Sequence, residues 1–270
     1  MLKVPNKRLA PAAKQHLWNF QDEVDAGTTY AKRVSLAKGR FSARNKSTNP
    51  TFAEVRSKLT AMCSGARRCM YCEDSVADEV EHFKPKDLYP EVVFVWMNYL
   101  YACGACNGPK NNQFSILDAG GQLLNVTRPR RAAIIPPQTG EPALIDPRRE
   151  DPLAFMMLDL QDTFEFTPTA PLDSGQWTRA DYTINVLRLK ERDYLVQARE
   201  NAFGSYRARL KEYINERDKG ASGTKLAKLK AGIRRSPHPT VWAEMQRQHS
   251  HPRHPELQVL FAEAPEALTW

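Results

Sequence analysis

The sequence lacks any apolar run approaching the roughly 20 residues needed to cross a bilayer. Residues 1–17 are basic but contain no apolar stretch of the kind that signal peptides carry. Internal repeats and long low-complexity tracts are also missing. These absences argue against membrane and repeat proteins, and we expect a cytoplasmic protein with no membrane partner.

Cysteine is scarce, with only five residues in 270, yet four of them form two Cys-x-x-Cys pairs. The pairs are Cys69/Cys72 and Cys103/Cys106, while Cys63 stands alone. In a reducing compartment this pattern predicts metal binding rather than disulfides. Four thiolates would close the tetrahedral shell of Zn²⁺, which predicts a structural zinc. A redox Cys-x-x-Cys pair is the alternative, and Cys63 is predicted to be a buried thiol.

Negative charge is in short supply, with 31 Asp and Glu against 39 Lys and Arg, a formal charge of +8 and a pI near 9.2. Such a surplus favours polyanionic partners, with nucleic acid first. The excess is pronounced in residues 1–50. We interpret this segment as a basic arm that is either solvated and partly ordered or in contact with a phosphate backbone or an acidic protein.

Apolar periodicity predicts two helical regions. Thr51 and Glu54 have the spacing of a capping box, and the following pattern predicts a helix of about 12 residues from Phe52 to near Gly65. From residue 178 onward, apolar residues three and four apart predict a long helix that ends near Lys219-Gly220. The opposite face of that helix is basic and is predicted to be solvated. It carries Arg199, Arg207, Arg209 and Lys211.

Shorter patterns divide the chain into four regions. They are a basic N-terminal arm (1–50), a core containing the cysteines (51–125), a Pro-rich connecting region with short strands (126–177) and a helical basic C-terminal region (178–270). The short strands are predicted at Phe114–Asp118 and Phe164–Phe166. A C-terminal histidine cluster suggests metal by composition, but nearby prolines break its geometry. It comprises His249, His251 and His254.

The spacer between the cysteine pairs is longer than the about 15–20 residues of a plain zinc ribbon, so it has room for a hairpin. Val80 and Phe83 suggest one strand and Val92–Trp96 the other, with Trp96 in the hairpin core. Tyr99 and Tyr101 are also predicted to be packing residues. Asn107 follows the last cysteine and could open a helix, either as a cap or as a ligand.

Two strands and a helix pinned by zinc would bring Glu81, His82 and Asn107 together. A histidine can take a proton from water near neutral pH. Carboxylate and amide oxygens are hard ligands suited to Mg²⁺ or Mn²⁺. Asn98 is expected to hydrogen-bond backbone and hold the loop that carries His82. Three lysines are expected to contact phosphates: Lys84, Lys86 and Lys110.

The order Cys-x-x-Cys, Glu-His-x-x-Pro, Asn and Cys-x-x-Cys-Asn-x-x-Lys resembles the HNH endonuclease family. The resemblance implies a zinc-stabilised ββα-metal core in an α+β protein, flanked by mainly helical regions. It makes His82 the general base, Asn98 a structural residue and Asn107 a ligand of the catalytic ion. Glu81 stands where the family usually carries aspartate, which adds one methylene. Glu73 and Asp74 are interpreted first as surface charges, with the orientation of a loop beside the zinc as the alternative.

Further segments are similar to the HNH subunits of Septu-type bacterial anti-phage systems, the PtuB-like proteins. They are Arg68–Glu73, Glu81–Lys86, Trp96–Tyr99 and Asp146–Pro152. This resemblance implies a nuclease that works beside an ATPase partner, with DNA as the first substrate and RNA as the second. The alternatives are a zinc-ribbon module that binds nucleic acid without cutting it, and an effector that cleaves RNA such as tRNA together with an ATPase.

Overall fold

The chain folds into nine α-helices and seven short strands, and the computed structural model describes residues 1–270. The helices are α1 (Pro11–Asp25), α2 (Tyr30–Arg44), α3 (Pro50–Met62), α4 (Gly104–Lys110), α5 (Ser174–Val186), α6 (Asp193–Asp218), α7 (Gly223–Arg234), α8 (Pro239–Gln248) and α9 (Pro255–Glu263). The strands are β1 (Glu79–His82), β2 (Tyr99–Ala102), β3 (Ser115–Leu117), β4 (Leu123–Asn125), β5 (Glu141–Pro142), β6 (Met156–Leu158) and β7 (Phe166–Pro168). The strands pair antiparallel in three small sheets, β1–β2, β4–β3–β5 and β6–β7. This mixture of helix and sheet confirms the predicted α+β class at that level.

The first 50 residues form packed helices, so the expectation of a partly ordered arm is wrong for this segment. Pro11 opens α1 where a missing N–H costs nothing, and the hydroxyl of Thr29 caps α2 by accepting from the Lys32 amide at 3.1 Å. Both helices bury an apolar stripe that includes Leu17 and Phe41. The composition of the whole segment hides this stripe because the basic residues lie on the outer faces.

Helix α3 starts from a different cap than the sequence predicted. The side chain of Asn49 accepts from the amides of Thr51 and Phe52 at 3.0 and 3.3 Å, and Pro50 occupies the first turn. The carboxylate of Glu54, expected to complete a capping box, instead accepts from the Ala10 amide at 3.2 Å. The predicted helix itself is confirmed, and it ends at Met62.

The second strand of the central hairpin lies further along the chain than predicted. Residues Val92–Trp96 are not a strand, because they run between two 3-10 turns, Pro90–Val92 and Trp96–Asn98. The amide of Phe94 donates to the side chain of Gln21 at 2.9 Å. The amides of Val93 and Val95 donate to the carbonyls of Pro90 and Val92 within the turns, so this backbone needs no strand partner.

The predicted C-terminal helix is two helices, α5 and α6, separated by residues 187–192. Its end is confirmed, since Gly220 follows α6 with a φ of 76°. Arg199 is not solvated as expected but only 2% exposed. Its guanidinium donates to the carbonyls of Phe164 and Leu189 at 3.1 and 2.9 Å, which offsets the cost of burial.

Of the two predicted short strands, one lies where it was predicted and the other is displaced along the chain. Strand β3 lies inside the expected Phe114–Asp118 segment. Strand β7 begins at Phe166 rather than Phe164, because Phe164 has a φ of 50° that no regular strand allows.

One hydrophobic cluster of buried residues runs through all four predicted regions. It includes Phe41, Tyr99, Leu144 and Leu210, one from each region. The central hairpin belongs to this shared core rather than standing as a separate unit, since Phe41 of α2 and Phe52 of α3 pack against Tyr99 of β2.

Candidate metal centre and candidate active site

The four paired cysteines converge on one buried point. Their sulfur atoms all lie within 4.8 Å of one another, and each residue is at most 4% exposed. Cys69 and Cys72 lie in a tight turn closed by the Glu73 amide, which donates to the Cys69 carbonyl at 2.9 Å. Cys103 is the N-cap of α4, and Cys106 lies in the first turn of that helix. Two short turns thus present two sulfurs each.

The geometry of this cluster fits zinc. Four sulfurs at about 2.3 Å from a tetrahedral ion lie about 3.8 Å apart. The sulfurs of Cys72 and Cys103 are 3.8 Å apart, and none of the four cysteines forms a disulfide. The amide of Tyr71 approaches the Cys69 sulfur at 3.4 Å, a contact that suits a thiolate. Four sulfurs would leave no coordination position for a substrate.

Arg192 is a partner of the cluster that the sequence did not single out. Its guanidinium lies 3.3 Å from the Cys106 sulfur and donates to the Leu187 carbonyl at 3.0 Å. Burial lowers the pKa of Arg192, but the Cys106 sulfur, the Tyr194 hydroxyl and the Cys72 sulfur together raise it above its ordinary value. A fixed cation beside a set of thiolates offsets part of their negative charge.

His82 lies at the end of β1, opposite Tyr99 of β2. Its Nε2 lies 3.0 Å from the Val93 carbonyl, which can only accept, so Nε2 carries the hydrogen and Nδ1 has a free lone pair. The ring packs edge-on against Phe41, with centroids 4.4 Å apart. Burial and the positive charge of Lys86 lower the pKa of His82 to about 3, so the imidazole is neutral.

Glu81 and Lys110 form a buried ion pair. The carboxylate of Glu81 contacts the ammonium of Lys110, which also donates to the His82 carbonyl at 2.9 Å. Lys110 is 0% exposed, so the expectation that it contacts a phosphate is wrong. Burial raises the pKa of Glu81 although the charge of Lys110 opposes this. The second oxygen of Glu81, Oε2, has no hydrogen-bond partner.

Asn98 makes the backbone contacts that the sequence predicted. Its carbonyl oxygen accepts from the Lys84 amide at 2.8 Å, and its Nδ2 donates to the carbonyls of Lys84 and Val92 at 3.1 and 3.0 Å. One buried side chain thus joins the backbone just after His82 to the segment whose Val93 carbonyl bonds the His82 ring.

Asn107 lies inside α4 rather than at its start, so the expectation that it caps the helix is wrong. The N-cap is Cys103, whose carbonyl accepts from the Asn107 amide at 2.9 Å. The Asn107 side chain donates through Nδ2 to the carboxylate of Glu79 at 2.5 Å. Glu79 was not considered from the sequence, although it lies two residues before Glu81 on the same strand.

A small cavity of about 70 Å³ brings several of these groups together, and we call it the Glu81–His82 cavity. It is lined by Val80, Glu81, His82, Pro85, Lys86, Asn107, Asn111 and Asn112. Of the predicted site residues, it unites Glu81, His82, Asn107 and Lys86. It excludes the buried side chains of Asn98 and Lys110.

The two remaining lysines have aromatic neighbours. The ammonium of Lys86 lies 5.6 Å from the centroid of the Phe41 ring, and burial lowers the pKa of this lysine. Lys84 lies 5.1 Å from the centroid of the Tyr89 ring and lines a separate cavity of about 380 Å³. Only Lys86 therefore lies beside His82.

Three further expectations need correction or restriction. Glu73 is not a surface charge but 4% exposed, and its carboxylate accepts from the amide and hydroxyl of Thr240 at 3.0 and 2.8 Å, near the start of α8.

Cys63 is half-buried rather than buried, and burial raises its thiol pKa to about 12. His249 and His254 bond Gln246 and Gln248, and only the four cysteines form a metal-type cluster.

None of the helices is both long and apolar enough to cross a membrane.

Comparison with known proteins gives one partial similarity. Over 72 residues the chain is 39% identical to the Septu protein PtuB of Bacillus thuringiensis. The similarity covers 25% of this chain and 28% of that protein, so the chain matches less than a third of its relative. No protein-family model and no solved structure matches the chain.

Proposed function

We propose that the chain is a metal-dependent HNH endonuclease that hydrolyses phosphodiester bonds of nucleic acid, with DNA as the first substrate. The observation that carries the proposal is the Glu81–His82 cavity, in which a neutral histidine, a carboxylate oxygen without a partner and an amide side chain meet. In this proposal β1, β2 and α4 are the ββα-metal core, and the four cysteines hold a structural zinc that fixes its ends.

The residues of this cavity fit a hard divalent cation. Oε2 of Glu81 lacks a partner, and the carbonyl oxygen of Asn107 is free because the Glu79 contact uses Nδ2. These two oxygens would hold Mg²⁺ or Mn²⁺. When bound, the ion would supply charge stabilisation at the scissile phosphate and the leaving oxygen.

His82 is arranged to act as the general base. Its Nε2–H is held by the Val93 carbonyl, so Nδ1 is the nitrogen that can take a proton from water. The low pKa of His82 keeps this nitrogen unprotonated at neutral pH, and the general-base role requires that entry of water into the cavity raise that pKa. Asn98 holds the backbone around His82. The role of Asn98 is therefore positional.

One observation favours a second function. Lys110 already neutralises Glu81 and would compete with a cation for the carboxylate. A chain with this ion pair intact would be a zinc-stabilised module that binds nucleic acid without cutting it. The two functions differ in one result, since only the nuclease gives a product that depends on Mg²⁺ or Mn²⁺.

We further propose a role in bacterial anti-phage defence beside an ATPase partner. The support is the partial similarity to a Septu protein together with the motifs that resemble PtuB-like subunits. Such a partner would make cleavage conditional, and RNA, including tRNA, is the alternative substrate. Isolation of the tagged chain from its native host, with identification of the co-purifying proteins, tests the partnership.

The nuclease proposal is tested by His82→Ala in the complex isolated from the host, with Mg²⁺ or Mn²⁺ present. We expect cleavage of DNA to fall by about 100-fold or more, because a positioned general base contributes about 10²–10⁴ to the rate. The exposed His251→Ala is the matched control and should cleave like wild type. Equal cleavage by a folded His82→Ala protein would rule out the assignment.

A further inference from the structure

A second, larger groove lies beside the Glu81–His82 cavity. It has a volume of about 910 Å³ and shares Asn111 and Asn112 with that cavity. Its charged lining residues are Lys38, Asp87, Arg128, Arg130 and Arg131, and we call it the arginine groove. The groove and the cavity are therefore adjacent, with Asn111 and Asn112 lining both.

The charge of the arginine groove is uncompensated. Its only carboxylate, Asp87, pairs with Lys38 at 3.0 Å and accepts from the side chain of Asn112. Arg128, Arg130 and Arg131 form no ion pair with any residue. Three cations within four residues repel one another, and a bound polyanion would relieve this repulsion.

Part of this cationic segment is held in place. The guanidinium of Arg128 donates to the Tyr30 hydroxyl at 3.1 Å and to the Ile135 carbonyl at 3.3 Å. The amide of Ala132 donates to the Pro129 carbonyl at 3.1 Å, which closes a turn around the other two arginines. A guanidinium fixed in this way loses little conformational entropy when it binds an anion.

The lining also indicates which part of a nucleic acid would bind. No aromatic ring lines the groove, so it offers no platform on which bases could stack. It offers guanidinium groups and the amide side chains of Asn111, Asn112 and Gln113, which suit phosphate and sugar oxygens. Contacts of this kind position a strand without reading its sequence.

We infer that the arginine groove binds the sugar–phosphate backbone of the nucleic acid and delivers the scissile phosphate to the Glu81–His82 cavity. This inference rests on the proposed nuclease function. It assigns Arg130 and Arg131 as backbone-binding residues, with Arg128 as a partly anchored third contact.

The test measures binding by fluorescence anisotropy with the full chain. The probes are a duplex DNA of about 24 base pairs and a stem-loop RNA, between about 50 and 300 mM KCl. The groove variant is Arg130→Gln with Arg131→Gln, which leaves the anchored Arg128 intact. The matched control is Lys211→Gln with Lys228→Gln, which removes two exposed charges from α6 and α7, helices that line no part of the groove.

We expect the groove variant to bind at least about tenfold more weakly than wild type near 100 mM KCl, with a salt slope smaller by up to about 2. The control should change both quantities much less. Comparison of the two probes measures the preference of the groove for a DNA or an RNA backbone. Equal weakening by both variants, no weakening by the groove variant, or no binding by wild type would overturn the inference.

The same proteins separate this inference from the nuclease proposal. If His82→Ala binds like wild type and loses cleavage while the groove variant binds normally, the nuclease survives and the groove assignment fails. If the groove variant binds weakly but the wild-type complex cleaves neither probe with Mg²⁺ or Mn²⁺, the groove survives and the nuclease fails.

Discussion

The cysteine cluster and the Glu81–His82 cavity lie on the same hairpin and helix, but they are built in different ways. The four sulfurs lie within 4.8 Å of one another because two short turns each present a pair. The cavity is assembled from distant elements, since Phe41 of α2 packs on His82 and Lys110 of α4 neutralises Glu81. The four cysteines already present a complete set of ligands, whereas a cation at Glu81 would have to compete with Lys110.

The largest predicted effect concerns the cluster. Cys72→Ser should abolish zinc retention and lower the free energy of unfolding by more than about 4 kcal/mol, because structural zinc contributes folding energy directly. Zinc content and denaturant unfolding measure both quantities. Cys63→Ser is the matched control because Cys63 lies outside the cluster and should keep its zinc. Normal stability of a zinc-free Cys72→Ser protein would refute the structural role.

The next prediction concerns the buried ion pair. Lys110→Met should lower the free energy of unfolding by about 3–5 kcal/mol near neutral pH, because it leaves the Glu81 carboxylate buried without its cation. Lys58→Met removes a surface pair with Glu54 and should cost less than about 1 kcal/mol. Denaturant unfolding with and without Mg²⁺ measures the effect.

Magnesium gives this experiment a second outcome. If the cavity accepts a cation at Glu81, Mg²⁺ should restore part of the stability of Lys110→Met and leave Lys58→Met unchanged. If Mg²⁺ affects neither variant, the binding-module alternative gains support.

A smaller effect is expected at Asn98. Asn98→Ala should lower the free energy of unfolding by about 1–3 kcal/mol, because the Lys84 amide and two carbonyls lose their partner. Asn98→Asp keeps the oxygen that accepts from Lys84 but loses both donors, so it separates the two contributions. Thermal unfolding measures the stability, and an unchanged midpoint in both variants would contradict the positional role.

Much of the cysteine cluster followed from the sequence, because ligand spacing and turn geometry act within a few residues. The helix after Pro50, the strand carrying His82 and the end of α6 were likewise visible in local patterns. The contacts of Asn98 were also expected, but β2 was misplaced since its neighbouring segment is satisfied by side chains such as Gln21. Such long-range contacts leave no trace in local periodicity.

The burial of charged residues was the main failure, and it has one physical cause. Lys110, Arg199 and Glu73 each look solvated in a local pattern, but each is buried against a partner distant in sequence. Glu81 lies 29 positions from Lys110, while Thr240 lies 167 positions from Glu73. A buried charge becomes predictable only when its partner is known.

The smallest predicted effect is a pH-dependent change in stability at His238, beside the turn that carries Cys69 and Cys72. His238 is 3% exposed and contacts Asp74, which follows the first cysteine turn, and burial lowers its pKa. A lowered pKa means that the unfolded chain binds the proton more readily. The contribution of His238 to the free energy of unfolding is therefore present above the pKa of about 6.5 that histidine has in the unfolded chain. It is lost as the pH falls below that value.

Comparison of wild type with His238→Asn measures this contribution, since asparagine tolerates the φ of 53° at this position. The difference in unfolding free energy between the two proteins should be constant from about pH 7 to 8. Below about pH 6.5, wild type should lose stability relative to His238→Asn. A difference independent of pH down to about pH 5 would exclude the role of His238.

We propose that the chain holds two separate metal ions, zinc in the closed cysteine cluster and a second divalent cation in an open site at Glu81 and Asn107. Electron paramagnetic resonance of Mn²⁺ added to the zinc-loaded protein tests it most directly, with Asn107→Ala and Cys63→Ser as paired variants. We expect one bound Mn²⁺ in wild type and Cys63→Ser, its loss in Asn107→Ala, and unchanged zinc in all three proteins. Equal Mn²⁺ binding by Asn107→Ala, or release of zinc when Mn²⁺ binds, would contradict it.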